Sequence, residues 1–76
     1  MTYSALRHLK VGECAQFKEV QGSTEILQQL IGLGFFPGAS LTVLQKLGDQ
    51  HVVSVGRSKV AIGNTLSHKI IVGRQV

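Results

Sequence analysis

The stretch LIGLGFFPGA, Leu30 to Ala39, holds three glycines and the chain's only proline among five large apolar residues. It is too broken to continue a helix and too punctuated to be a strand. It therefore marks a junction, and it fixes where the patterns on either side must stop and start. Upstream, GSTEILQQLIGLG reads as a helix. Ser23 is placed to cap it, because a hydroxyl there accepts from an otherwise unpaired amide one turn on. Glu25 falls in the first turn, where the helix dipole favours an anion. Ile26, Leu27, Leu30 and Ile31 recur at helical spacing as one apolar stripe, with Gln28 and Gln29 off it.

Gly34 is the expected left-handed residue just past this helix, a conformation glycine reaches without steric penalty. That choice carries Phe35 back onto Leu30, the apolar contact that accompanies such an ending. An ending at Gly32 would put Gln28 there instead. Gly32 then lies inside the last turn at a cost of about 1 kcal/mol relative to alanine, for which close approach of a neighbouring strand is the expected reason. Pro37 and Gly38 fit the middle of a type II turn, proline presetting the first central residue and glycine supplying positive φ at the second.

On either side of this junction the texture is that of strands. The opening YSALRHLKVGE reads as an irregular or single-turn lead-in whose leucines, Leu6 and Leu9, plug one end of the core. CAQFKEV, Cys14 to Val20, alternates partly, with Ala15, Phe17 and Glu19 on one face. SLTVLQKL, from Ser40, places Leu41, Val43 and Leu47 on one face and Thr42 and Lys46 on the other, with Leu44 an exception. Gly48 to Gln50 is turn chemistry, and His51 to Val55 is β-branched and strand-like. Gly56 to Ser58 makes a second tight turn before the short strand KVAI. GNTLSHK holds one helical turn with Asn64 as its cap, and Ile70 to Val72 closes the chain as a strand. Short strands at this spacing, with one helix after the first, predict a small closed or nearly closed β-barrel over residues 1–76. Closure also removes exposed strand edges.

Seventy-six residues leave little room for a deep catalytic cleft. A domain of this size buries roughly 60% of its unfolded surface. The four carboxylates, Glu13, Glu19, Glu25 and Asp49, are scattered, whereas hard cations need several oxygen ligands together. His8, His51 and His68 are far apart and show no His/Cys pairing at metal-ligand spacing. The single cysteine, Cys14, excludes an internal disulfide and reads as a small buried hydrophobe. GLGFFPG contains Gly-x-Gly but follows a helix, whereas a dinucleotide-binding turn follows a strand. No enzyme, cofactor or metal-ligand assignment follows. The net charge of +4 is spread without a basic run, and Tyr3, Phe17, Phe35 and Phe36 are the whole aromatic supply. Nucleic acid is therefore not expected as the partner. The N-terminus lacks a signal peptide's apolar core, and no apolar stretch approaches the ~20 residues of a membrane span. The expected location is cytoplasmic.

LQQLIGLGFFPGASLTVLQKLGD, then VVSVGRSKVAIGN, then IIV, resembles the FeoA family of ferrous iron transport accessory proteins. The lead-in LRHLKVGECAQF is similar to that family's opening Leu-x-x-Leu-x-x-Gly-x segment. The likeness covers nearly the whole chain and is most specific from Leu30 to Val43. It implies an SH3-like β-barrel with one α-helix inserted after the first strand. It also implies a cytosolic accessory or regulatory role in bacterial Fe(II) uptake, exerted by contact with FeoB, a membrane transporter carrying a GTP-binding domain. Association with the inner membrane would then be peripheral, through that partner. The chain departs from many members at Leu33, where methionine is common, and at Gln28 or Gln29, where arginine is. It departs again at Gly63, Thr65, Leu66 and Ser67, where the family often has an arginine, acidic residues and an alanine.

The same barrel occurs in iron-dependent repressors, so a metal-binding sensor domain is one alternative, and a small basic nucleic-acid-binding barrel is another. Weak self-association through strand edges stays open. Under the accessory reading, Leu33, Phe36 and Pro37 are the candidate partner-binding residues, and Gly34, Pro37 and Gly38 serve the turn. Phe36 is the one residue of the junction without a structural duty. Its ring is either a second core phenylalanine or a contact for a partner.

Overall fold

The computed structural model describes residues 2–74. Six antiparallel strands form one sheet: β1 (Thr2–Ala5), β2 (Cys14–Val20), β3 (Ser40–Leu47), β4 (Gln50–Val55), β5 (Ser58–Ile62) and β6 (Ile70–Arg74). A 3-10 turn, Leu6–His8, follows β1. Helix α1 (Thr24–Gly32) joins β2 to β3, and the short α2 (Asn64–Ser67) joins β5 to β6. The strand order is β1-β6-β2-β3-β4-β5, with β1 and β5 at the two ends of an open sheet. The architecture is the expected SH3-like one, but the ladder does not close through its edges.

One apolar core lies inside the curved sheet. Phe17, Phe35, Leu6, Leu9, Leu30, Leu41 and Ile62 are its largest members, with Val43, Val53, Val55, Ile70 and Val72 around them. Leu6 and Leu9 plug it as expected. The strand before them was not anticipated. Thr2–Ala5 is too short to show a period, and it pairs with Ile71–Arg74 at the far end of the chain. The pairing of β6 between β1 and β2 is likewise non-local.

Two bulges explain where simple alternation fails. In β2 the register shifts between Phe17 and Glu19. An extra residue in a strand re-aims everything after it. Val20 accordingly packs against the core, and Glu19 is exposed. In β3 the shift falls between Val43 and Gln45. Beyond it Lys46 lies opposite His51, and Leu47 opposite Gln50. Leu47, expected beside Leu41 and Val43, is therefore on the other face and 53% exposed.

Ser23 caps α1 as expected, its Oγ accepting from the Ile26 amide at 3.3 Å. Leu30 is buried, while Ile26 packs partly against the core. Ile31 corrects the expected stripe, because it is exposed. Asn64 is not a cap. It is the first residue of α2, whose N-cap is Gly63, and its carbonyl accepts from the Ser67 hydroxyl at 3.0 Å. Gly32 is also corrected. A Cβ built there meets nothing within 4 Å, so no neighbouring strand demands a glycine.

Candidate interaction surface

The α1–β3 junction is held by its backbone. Gly34 has φ +104°, and its amide donates to the Ile31 carbonyl at 3.0 Å. The Phe35 amide donates to the Leu30 carbonyl at 2.9 Å. These two bonds form the glycine-dependent helix ending expected from the sequence. Gly38 has φ +90°, and the Ala39 amide closes the Pro37–Gly38 turn on the Phe36 carbonyl at 2.8 Å. The turn is then tied to β2. The Gly38 amide donates to the Phe17 carbonyl and the Phe17 amide to the Ala39 carbonyl, each at 2.8 Å.

This frame sends two consecutive phenylalanines in opposite directions. Phe35 is fully buried and packs edge-on against Phe17, with ring centroids 5.8 Å apart and planes at 69°. Phe36 is 55% exposed. Its neighbour Leu33 is 43% exposed, and Pro37 is exposed as well. A side chain of this kind left in water forgoes about 1.5–3 kcal/mol of burial. A partner that covered it could recover part of that.

Leu33 and Phe36 line a groove of about 410 Å³. Its floor comes from outward positions of the sheet, Ser40 and Thr42 on β3 and Ser54 on β4. Its far side is the β4–β5 turn, Gly56 to Ser58 with Arg57. Pro37 lies over a smaller depression of about 200 Å³ shared with Tyr3 and Lys18. The structure thus brings Leu33 and Phe36 to one groove and sets Pro37 on its flank. Ser40, Thr42, Ser54 and Arg57 were not anticipated. The small polar side chains of Ser40, Thr42 and Ser54 at outward strand positions mark an outer face, and Arg57 stands in the turn beside it. Which outer face borders the junction depends on the fold.

The other candidate groups lie elsewhere. Cys14 corrects its expectation, since it is exposed, with Sγ 3.2 Å from Thr42 Oγ1. Arg7 donates to Nε2 of His8 at 3.3 Å and to Nε2 of His68 at 3.1 Å. His51 is only 8% exposed. Burial pushes its imidazole below the ordinary value, the Lys46 charge adds to this, and the Arg7 carbonyl opposes it. Among the described residues no three His, Cys, Asp or Glu side chains are grouped to hold a metal ion. The Lys10 amide donates to Glu13 at 2.6 Å, and Arg74 pairs with its other oxygen at 3.0 Å. The amide bond first, and the Arg74 charge with it, hold this carboxyl below the usual range against some desolvation. Among the described residues no helix is long and apolar enough to cross a membrane.

The FeoA domain family matches residues 5–74, which includes the helix ending, the turn and every strand of the groove. The chain belongs to the FeoA domain family. A crystal structure of an iron uptake regulatory protein, FeoA, is 26% identical, with a TM-score of 0.85 over 95% of this chain and 97% of that one. A zinc-complexed FeoA from Stenotrophomonas maltophilia, described as a prokaryotic SH3 domain protein, is 24% identical, with a TM-score of 0.79 over 91% of this chain and 88% of that one. The fold extends beyond FeoA proteins. A manganese-dependent transcriptional repressor is 16% identical, with a TM-score of 0.83 over 96% of this chain and 42% of that one. At that identity the likeness is one of fold alone. No curated protein matches the chain in sequence.

Proposed function

We propose that this FeoA-family chain serves ferrous iron uptake as a binding module and not as an enzyme. Its partner is a FeoB-type membrane transporter, met on that protein's cytosolic GTP-binding portion. Association with the membrane is then peripheral. The observation that carries the docking surface is Phe36, a large ring held out of the core beside a groove by a junction tied down through the amides of Gly34, Phe35, Gly38 and Ala39. Aromatic anchors of this kind dominate small interfaces. Leu33 extends the apolar contact, and Pro37 sets the adjoining turn.

The test is capture of the transporter's cytosolic domain by the immobilised chain. Phe36→Ala, shown to be folded by circular dichroism, is expected to reduce capture about tenfold or more, the size of an interface anchor. Undiminished capture would remove Phe36 from the interface. Failure of the wild-type chain to capture that domain, alone or with GTP, would count against the partner itself.

A further inference from the structure

The groove beside Phe36 has two unlike walls. Leu33 and Phe36 make the apolar one. Arg57 stands on the other, in the β4–β5 turn. Lys59 adds a second cation there. It is the register partner of Ser54, and directly paired residues project to the same face. Ser54 lines the groove, and Lys59 is exposed. Among the described residues no acidic side chain lines the groove. The four Asp and Glu side chains lie elsewhere, on the loop before β2, on β2, at the start of α1 and in the β3–β4 turn. Among the described residues the one ion pair joins Glu13 to Arg74, so Arg57 and Lys59 have no Asp or Glu carboxylate within ion-pair distance. Between the walls, the hydroxyls of Ser40, Thr42 and Ser54 can donate to and accept from a backbone laid over them.

Resting on the reading of this groove as a protein-docking site, we propose that its occupant is a short acidic–apolar peptide segment in extended form. A large apolar side chain of the segment seats on Leu33 and Phe36. A nearby Asp or Glu answers Arg57 and Lys59. The volume of about 410 Å³ lies in the range of sites that enclose a ligand, roughly 300–1,000 Å³. An anionic membrane also offers negative charge beside apolar matter. It spreads that charge over a broad plane, whereas an extended segment matches a hydroxyl floor between two walls. The charge wall selects and steers, since exposed cations weigh more on encounter and specificity than on total affinity. Binding is accordingly expected to weaken with salt.

A random dodecapeptide library displayed on phage, panned on the wild-type chain, tests this directly. The expected result is enrichment of sequences with Asp or Glu within three residues of Leu, Ile, Met or Phe. A synthetic peptide from that pool should bind Arg57→Glu/Lys59→Glu about tenfold or more weakly than wild type at low salt. Its counterpart with lysines in place of the acids should prefer the reversed variant. Both cations are exposed, so the variant is expected to fold, as circular dichroism would check. Enriched peptides without acidic bias, or equal binding by the reversed variant, overturn the acidic assignment and leave the docking surface standing. No enrichment over bare support, or enrichment that Phe36→Ala does not lower, overturns both. Sedimentation of the chain with vesicles of 30% phosphatidylglycerol in phosphatidylcholine, lost in Arg57→Glu/Lys59→Glu, together with absence of peptide enrichment, would assign the surface to lipid and overturn the proposal.

Discussion

The α1–β3 junction and the β3–β4 hairpin tip both hold large apolar side chains out in water, but they do so for different reasons. At the junction, Leu33 and Phe36 stand on a backbone tied down through the amides of Leu33, Gly34, Phe35, Gly38 and Ala39, at the edge of a groove. At the tip, Leu44 is exposed on the outward face that alternation gives it, and Leu47 is exposed because a bulge beside Val43 rotates the end of β3. Exposure by itself therefore does not mark a site. What separates the two is a concave neighbour with usable polar groups. The tip has a distinct trait of its own, since it carries His51 opposite Lys46.

The sharpest way to separate scaffold from surface within the junction is to truncate its two rings in turn. Phe35→Ala removes a fully buried ring from the core and should cost about 3–5 kcal/mol. For a chain of 76 residues with a total stability of about 4–11 kcal/mol, that brings the protein to the edge of unfolding. Phe36→Ala should change stability by no more than about 0.5 kcal/mol, as surface substitutions do. Urea unfolding measures both. Similar losses for the two variants would mean that Phe36 also supports the fold, and the groove would lose its anchor.

Acid tests the tip. Its effect is expected to be second in size, because it acts through one titrating side chain among several core contacts. The folded-state value of His51 lies below the unfolded one, 6.5. The unfolded chain therefore takes up a proton first as pH falls. The stability held in neutral His51 is complete above that value, and it is lost as pH drops below it toward the folded-state value. Wild type should show a lower urea midpoint at pH 5.5 than at pH 7.5. His51→Asn should show a smaller difference between the two. An equal difference in the variant would place the acid sensitivity elsewhere in the chain.

Gly32 sharpens the account of the junction from the other direction. It is helical, without the positive φ of Gly34, and open space surrounds the position of its missing Cβ. Gly32→Ala should stabilise the chain by about 0.5–1 kcal/mol. A loss of stability would show that the last turn of α1 needs glycine after all.

The parts of this molecule that could be read from its sequence are those set by local rules. Ser23, Gly34 and Pro37–Gly38 act through bonds to residues within a turn of themselves, and each does what its residue type dictates. The strands from Cys14 onward were visible through alternation. What alternation could not show were the two bulges, which displaced Glu19 and Leu47 from their assigned faces. Nor could it show β1, whose partner is some seventy residues away. The candidate site divides along the same line. Leu33 and Phe36 belong to a stretch whose oddity is local. Arg57, Ser54 and Thr42 join them only because β3, β4 and the β4–β5 turn fold beside the junction. Cys14 was misplaced because burial of a lone cysteine is a tendency of the residue type, while the register of β2 against β3 sets it opposite Thr42 on the outer face.

The smallest effect is expected at the tip, and it bears most directly on the opening contrast. Leu44→Ser/Leu47→Ser removes two exposed apolar side chains, as a double change at Leu33 and Phe36 would. Neither leucine lines the groove, and neither is buried. Stability should stay within about 0.5 kcal/mol per site of wild type. Capture of a transporter's cytosolic domain should be unchanged, while Phe36→Ala lowers it. A drop in capture from the tip variant comparable to that of Phe36→Ala would erase the distinction between the two regions. The interface would then follow exposed apolar area in general, and the groove with its hydroxyl floor would have no special claim. Unchanged capture, with Phe36→Ala impaired, would show that shape and the cations beside it decide where a partner sits.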